Sequence, residues 1–146
     1  MTQKRAALGQ VNLVVGDMDA SVAFYRTLGI EIPATPPEWA PHHRAMKAGE
    51  AVDVDLDSAA FAAEWNAGWP AGGTGVVLGF RVETREDVDA LYRELTRAGH
   101  PGQQPPYDAF WGARYAVVLD PSGNAVGLMS PAAPERRAAP PTPPDD

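Results

Sequence analysis

Three aspartates alternate with single aliphatic residues in one short segment, and this spacing could build an acidic surface. If residues 53–57 form a β-strand, Asp53, Asp55 and Asp57 all point to one face of it. Carboxylates are costly in a dry core, so this face must contact water or a ligand. Either the segment is a solvated edge strand, or it is the wall of a site for a cationic ligand, in which Arg81 could pair with one aspartate.

Aromatic residues form a second group with binding chemistry, because they lie in segments rich in Gly, Pro and Asp rather than on periodic core stripes. A single aromatic residue in a loop often covers the core, and this explanation stays open for each of them. Together they are also typical of a ligand slot, where planar rings stack and cations lie over π-faces. We expect residues 110–112 to contact a ligand most directly, with Asp108 adding a carboxylate. The group comprises Trp65, Trp69, Tyr107, Phe110 and Trp111.

The histidines are weaker candidates for chemistry. His42 and His43 are adjacent, so a strand would turn their side chains to opposite faces and they would not chelate one ion together. We predict that His43 is a polar group of the site and that His42 and His100 are surface residues. The absence of cysteine excludes a thiolate nucleophile, a thiolate metal site and a disulfide framework. No nucleophile elbow, phosphate-binding loop or dinucleotide-binding fingerprint is present.

Length and charge narrow the classes of partner. A chain of 146 residues predicts one domain with a sizeable core. The formal net charge of −7 argues against nucleic acid and favours a neutral or cationic small molecule. The sequence has no apolar stretch long enough for a membrane helix and no signal-peptide pattern, so we expect a cytoplasmic protein with no membrane partner.

The sequence contains one pattern twice, which predicts two copies of a strand-helix-strands unit. Asp19 is expected to cap the first helix and Gly29 to end it, while Thr84 and Asp87 resemble a capping box for the second helix. Pro-rich segments in both copies predict short strands at sheet edges. The matching segments are residues 11–15 and 78–82, 24–28 and 91–95, and 50–54 and 124–128.

The predicted order is βαβββ-βαβββ, an α+β fold with eight strands and two helices. Its two modules, about 8–57 and 75–130, would form curled mixed sheets around a cleft, joined by a linker at 58–74. Residues 1–130 are thus predicted to be a single domain. Residues 131–146 are rich in proline and lack aromatic residues, so this tail is predicted to be disordered.

Three motifs make the sequence resemble the vicinal-oxygen-chelate superfamily, which includes glyoxalase I, extradiol dioxygenases and bleomycin-resistance proteins. The motifs are residues 10–21, 24–29 and 120–124, and the resemblance covers about residues 8–130. It implies up to four metal ligands, usually His, Gln and Glu, on the first and last strands of the two modules. Those positions fall on Gln10, Asp53, Val77 and Gly127.

Val77 and Gly127 carry no donor atom, so the sequence predicts no metal cofactor. Gln10, Asp53 and His43 are the residual candidates for metal ligands. Strand alternation would turn Asn12 and Met129 toward the cleft, where Gly127 leaves space. We therefore expect a ligand to contact the aromatic group together with Asn12, Asp53, Asp55, Asp108 and Met129.

These features favour a protein that binds a planar compound without a metal ion. The acidic wall would accept a compound that carries positive charge. It resembles the bleomycin-resistance branch, in which two chains usually pair, so the resemblance implies a homodimer and sequestration without turnover. The alternative is a metal-dependent glyoxalase or dioxygenase-type enzyme using Gln10 and Asp53. A small-molecule sensor with the same fold is a third hypothesis.

Overall fold

The computed structural model describes residues 5–145, in which seven strands and three α-helices form a mixed α+β fold. The sheet is mixed and not closed. The predicted fold class is confirmed, although the described residues contain one strand fewer and one α-helix more than expected. The elements are β1 (Ala7–Val15), α1 (Met18–Thr27), β2 (His43–Met46), β3 (Asp53–Ser58), α2 (Ala59–Trp65), β4 (Gly75–Arg81), α3 (Arg85–Arg97), β5 (Gly102–Asp108), β6 (Arg114–Leu119) and β7 (Ala125–Met129).

The chain divides into two compact units, and the division falls inside β1 and β4. The first unit comprises residues 10–77 and 142–145, with the strand order β2-β3-β1. The second unit comprises residues 5–9 and 78–141, with the strand order β4-β7-β6-β5. The assignment of residues 1–130 to a single domain stays a prediction, and residues 1–4 lie outside the described part.

The first unit packs α1 against one face of its strands. β1 and β3 are parallel, and β3 and β2 are antiparallel. The alternation of β3 places Val54 and Leu56 against α1, as predicted, and leaves the aspartates on the other face. The N-cap of α1 is Asp17 rather than Asp19, since the Asp17 carboxylate accepts a hydrogen bond from the Ala20 amide. The core residues are Met18, Val22, Ile32, Met46 and Leu56.

Two predicted features of the first unit differ in the structure. The second strand is reduced to an isolated bridge between Glu31 and Lys47, because the prolines of residues 33–41 cannot donate backbone hydrogen bonds to a ladder. The segment predicted as a linker contains α2. The Ser58 hydroxyl caps this helix by accepting a hydrogen bond from the Phe61 amide.

The second unit repeats the arrangement with α3. Thr84 and Asp87 form the predicted capping box, and Val88 is the fully buried residue of the helix. The edge strand β5 contains two prolines and pairs irregularly with β6. The turn before β7 needs Gly123, which has φ of 87°. The core residues are Val82, Val88, Ala116 and Leu128.

Strand pairing establishes the register of the internal repeat. Ser58 donates its amide hydrogen to the His42 carbonyl, and Ser130 donates likewise to the carbonyl of Arg114. The same difference in residue number between the two copies relates the cross-strand pair His43–Asp57 to Tyr115–Met129. It also relates the pair Ala45–Asp55 to Val117–Gly127. The counterpart of Gly127 is therefore Asp55. The expected match of Asp53 with Gly127 was wrong by two residues, which keeps the face but moves the position along the strand.

Residues 131–141 belong to the second unit and include a short 3₁₀ turn at Pro134–Arg136. Ala133 donates its amide hydrogen to the Gly112 carbonyl at 3.0 Å, and Ala138 donates to the Phe110 carbonyl at 2.9 Å. The disorder of residues 131–146 stays a prediction, and Asp146 lies outside the described residues.

Candidate functional site

Five polar side chains of the first unit form a continuous hydrogen-bonded group, here called the polar network. They come from the face of β1, β3 and β2 that points away from α1. Parallel pairing of β1 with β3 brings the amides beside the carboxylates, and antiparallel pairing places His43 opposite Asp57. The network comprises Gln10, Asn12, His43, Asp55 and Asp57.

Asp57 lies at the centre of the network with only 1% of its surface exposed. One carboxylate oxygen accepts a hydrogen bond from Asn12 Nδ2 at 2.7 Å, and the other lies 2.7 Å from His43 Nδ1. A buried carboxylate needs such partners, because its desolvation is otherwise very costly. Asn12 is itself buried. The result is an Asn–Asp–His chain that ends at a side chain 36% exposed.

Asp55 occupies a less buried part of the network. Gln10 Nε2 donates to Asp55 Oδ2 at 2.9 Å and to Asn12 Oδ1 at 3.2 Å. Burial raises the pKa of Asp55 from its ordinary value of 3.8 to about 6, and the negative charges of Asp57 and Asp53 act in the same direction against the charge of His43. This carboxyl therefore changes its charge close to neutral pH.

His43 is held between carboxylates and aromatic rings. Burial alone would lower its pKa, but the hydrogen bond to Asp57 and the charges of Asp57 and Asp55 raise the pKa of His43 above 6.5. The Phe61 ring meets the imidazole edge-on at 5.8 Å, and Trp39 meets Phe61 in the same way at 5.1 Å. The histidine thus packs against the buried Phe61 ring, which in turn contacts the partly exposed Trp39.

The second unit carries four aromatic side chains in succession, here called the aromatic row. Edge-to-face contacts join Phe110 to Trp111 at 5.3 Å, Trp111 to Tyr115 at 5.6 Å and Tyr115 to Tyr107 at 6.2 Å. Tyr115 is buried, whereas the other three are partly exposed. Burial also raises the pKa of Tyr107, so its phenol stays neutral in ordinary buffers. Partly exposed rings held in this way can stack on a planar ligand.

Asp108 is committed to ion pairs within the second unit. Arg85 donates to its carboxylate, and Arg114 donates to the same oxygen at 3.2 Å. Although burial opposes the shift, these two arginines lower the pKa of Asp108. Arg85 also donates to the Gly112 carbonyl at 3.2 Å, and Arg114 pairs with Asp89 at 3.0 Å. Asp108 therefore holds the loop that carries Phe110 and Trp111.

The remaining predicted residues take separate positions. Trp65 is buried in α2, and Trp69 donates its indole N–H to the Gly73 carbonyl at 2.9 Å and covers its own loop at Gly75. Asp53 is exposed at the beginning of β3, and Met129 pairs with Tyr115 across β6 and β7. His42 is buried rather than on the surface, and its Nδ1 lies 2.9 Å from the Ser58 hydroxyl, which satisfies this polar atom. The two histidines do point to opposite faces.

The positions at which the resemblance implies metal ligands do not fit a bound metal. Val77 is fully buried, and Tyr115 occupies the space beside Gly127, where a Cβ would lie 2.7 Å from the tyrosine oxygen. The Gln10 amide is turned to Asn12 and Asp55. Within residues 5–145, no group of three or more His, Asp or Glu side chains is arranged to hold a metal ion. A metal site normally needs three or four protein ligands.

Comparison with known proteins identifies the family. The model of the glyoxalase/bleomycin resistance protein/dioxygenase superfamily matches residues 7–128. The chain belongs to this superfamily. The resemblance to vicinal-oxygen-chelate proteins is thereby confirmed, while its metal-less branch stays a proposal. A search of curated proteins gives no significant match.

Solved structures of other proteins show the same fold at low sequence identity. Methylmalonyl-CoA epimerase from Mycobacterium tuberculosis is 19% identical over 91% of this chain and 93% of its own, with a TM-score of 0.57. A Mn(II)-bound glyoxalase from Novosphingobium aromaticivorans is 21% identical over 88% of this chain and 39% of its own, with a TM-score of 0.56. A homoprotocatechuate 2,3-dioxygenase variant from Brevibacterium fuscum is 19% identical over 89% and 33%, with a TM-score of 0.61. None of the helices among the described residues is long and apolar enough to cross a membrane.

Sequence reasoning underestimated Asp57 and His43. Asp57 continues the alternation of Asp53 and Asp55, but alternation alone does not say which carboxylate has a partner. A hairpin centred near Glu50 pairs residue 43 with 57 and residue 45 with 55. Counting outward from that centre places the histidine against Asp57, but the sequence does not show where the hairpin is centred.

Proposed function

We propose that this superfamily member binds a planar small molecule without a resident metal ion and sequesters it without needing turnover. The aromatic row carries the proposal. Two adjacent, partly exposed rings, Phe110 and Trp111, are held by ring contacts and by hydrogen bonds to the backbone of their own loop. Tryptophan and tyrosine are among the residues that most often dominate binding energy once a ligand covers them.

The acidic face of the first unit supports a neutral or cationic ligand. Asp53 is exposed and Asp55 is partly exposed, and no arginine or lysine pairs with either among the described residues. Carboxylates in this state repel anions and attract cations. We accordingly propose a planar ligand that can carry positive charge, in a cytoplasmic protein that pairs as a homodimer and could protect against a toxic compound.

Calorimetric titration with proflavine, a planar cation, tests the proposal. We expect Trp111→Ala to weaken binding by about 2 kcal/mol, roughly 30-fold in Kd, because the indole supplies stacking area. Phe24→Ala is the matched control, since this ring is 60% exposed on α1. Equal affinity of the wild type and Trp111→Ala would remove the aromatic row from the site.

Metal content tests the second half of the proposal. Protein purified without chelator and challenged with excess Ni(II), Zn(II), Mn(II) or Fe(II) should retain no stoichiometric metal after desalting. Asp53→Asn should leave the metal content unchanged, and so should Asp55→Asn at the counterpart of Gly127. One bound ion per chain would instead favour a metal-dependent glyoxalase or dioxygenase-type enzyme that uses Gln10 and Asp53, and assays for those activities would follow.

A further inference from the structure

We propose that the polar network is a general-base site, in which His43, oriented by Asp57, takes a proton from an acidic C–H bond of a bound planar neutral molecule. This inference goes beyond the proposed binding function, which requires no chemistry. It rests on three features of the first unit: the orientation of the imidazole, the support of its partner and the surroundings of its free nitrogen.

The imidazole has a defined orientation. His43 Nδ1 lies 2.7 Å from Asp57 Oδ1, so the hydrogen on Nδ1 is donated to the carboxylate and the lone pair of the neutral ring lies on Nε2. Within residues 5–145, Nε2 has no hydrogen-bond partner. A histidine with a carboxylate on one nitrogen and an open second nitrogen has the arrangement of a general base.

The partner carboxylate is itself held in place. Asp57 is 1% exposed, and its second oxygen accepts from Asn12 Nδ2 at 2.7 Å. Asn12 in turn accepts from Gln10. Because each group is fixed by the next, the imidazole cannot easily rotate away, and the carboxylate stabilises the imidazolium that forms on proton transfer.

The surroundings of His43 select the class of substrate. The Phe61 ring lies 5.8 Å from the imidazole and Trp39 packs on Phe61, so an aromatic pair lies beside the base and favours a flat molecule. Asp53 and Asp55 lie on the same face and repel anions. A neutral heteroaromatic compound with an acidic C–H meets both conditions, and 5-nitrobenzisoxazole is a probe of this class.

The step with this probe is an elimination that needs no other reactant. Nε2 of His43 takes the ring proton, the C–H electron pair forms the third bond of a nitrile, and the N–O bond breaks to leave a phenolate. The proton on Nε2 then passes to solvent, which restores the neutral base. The product is an isomer of the probe in its ionised form, and neither oxidant nor reductant takes part.

Release of the coloured phenolate gives the rate. We expect the wild-type protein to release phenolate faster than free imidazole at equal concentration. The His43→Gln variant should lose about 100-fold in kcat/KM, the usual contribution of a positioned base. His100→Gln is the matched control and should keep the wild-type rate, because this histidine follows α3 in the second unit. A wild type no faster than imidazole, or a His43→Gln variant as fast as the wild type, would overturn the proposal.

Asp57→Asn separates positioning from binding. An amide in place of the carboxylate donates to Nδ1 and forces the hydrogen onto Nε2, so kcat should fall at least about 10-fold while KM changes little. Thermal unfolding followed by circular dichroism checks that both variants fold. An unchanged kcat in folded Asp57→Asn would contradict the assigned role.

Two further arms distinguish this inference from the binding proposal and from metal chemistry. Proflavine titration of the same samples reports binding, so binding without elimination would overturn only the general base. Elimination without proflavine binding would overturn only the proposed ligand class. A rate abolished by EDTA and restored by a divalent metal would overturn the metal-free base.

Discussion

At the scale of single residues, the first unit concentrates its ionisable groups on one sheet face and gives each a different environment. Asp57 is buried and has a hydrogen-bond partner on each carboxylate oxygen. Asp55 is partly buried beside the Gln10 amide, and Asp53 is exposed. The three carboxylates therefore differ in burial and in hydrogen-bond partners because of their neighbours rather than their type. Two predictions follow from these differences.

Asp55→Asn should stabilise the protein above pH 6 and have little effect near pH 4. The pKa of Asp55 is raised from 3.8 to about 6 in the folded state, chiefly by burial. The protonated form is thus favoured by folding, and its contribution to stability is present below 3.8 and lost as the pH rises through 6. At pH 8 the ionised form of Asp55 carries the penalty, and replacing it by the amide should stabilise the protein by up to about 3 kcal/mol.

Urea unfolding at pH 4 and pH 8 measures this effect. Asp53→Asn is the matched control, since the same change at an exposed position should alter the free energy of unfolding little at either pH. Equal stabilisation by Asp55→Asn at both pH values would show that the carboxyl is not desolvated.

Asn12→Ala should lower the free energy of unfolding by about 2 kcal/mol, because it leaves one oxygen of the buried Asp57 carboxylate without a donor. Asn124→Ala removes a similar amide–carboxylate hydrogen bond to Asp120 at an exposed turn. That control should cost much less, because water screens and replaces hydrogen bonds of exposed charged groups. Denaturant titrations compare the two variants, and a similar cost for both would place Asp57 in contact with water.

At the scale of elements, the two copies of the repeat keep the same strand pairing but carry opposite chemistry. Where the first copy has His43, Asp55 and Asp57, the second has Tyr115, Gly127 and Met129. The strand register determines which residues of each copy lie on the same face of the sheet, and the side chains of those residues determine whether the face is polar. The first copy became polar and hydrogen-bonded, while the second became apolar and aromatic.

Gly127 is the position at which this divergence can be measured. An added Cβ would lie 2.7 Å from Tyr115 Oη and 3.1 Å from Cε1, and Tyr115 is buried and cannot easily move. Gly127→Ala should therefore destabilise the protein by about 2 kcal/mol. Adding Tyr115→Phe removes the closest atom and should recover part of the loss.

A double-mutant cycle in denaturant gives the coupling between the two positions. Gly123→Ala is a glycine control of another kind, since its φ of 87° makes it costly without any nearby atom, and Tyr115→Phe should not rescue it. Additive effects at Gly127 and Tyr115 would contradict the packing described.

At the scale of the whole molecule, the resemblance to proteins that pair predicts a homodimer. Light scattering during size-exclusion chromatography should give twice the chain mass of 15.5 kDa. Truncation after residue 138 should leave the dimeric state and the melting temperature unchanged, since Ala138 makes the last backbone hydrogen bond to the loop of Phe110. A monomeric mass at micromolar concentration would contradict the prediction.

Local patterns in the sequence were sufficient for the fold class. The repeated segments, the capping box of Thr84 and Asp87 and the alternation around Val54 and Leu56 all depend on neighbours a few residues apart, so they could be predicted. The prolines of residues 33–41 likewise indicated a weak edge, although the loss of a whole strand depends on how many backbone donors remain.

Contacts between distant residues were decided only by tertiary structure. The partner of His43 depends on where the hairpin is centred, and the pairing of Asp108 with Arg85 and Arg114 depends on how α3 packs on β5 and β6. Trp65 is buried and Trp69 covers its own loop, although composition alone predicts both as ligand contacts. The sequence alone thus indicated which side chains could do chemistry. The partner of each side chain depended on the strand register, because a shift of two residues keeps each side chain on the same face of the sheet but changes the residues that it contacts.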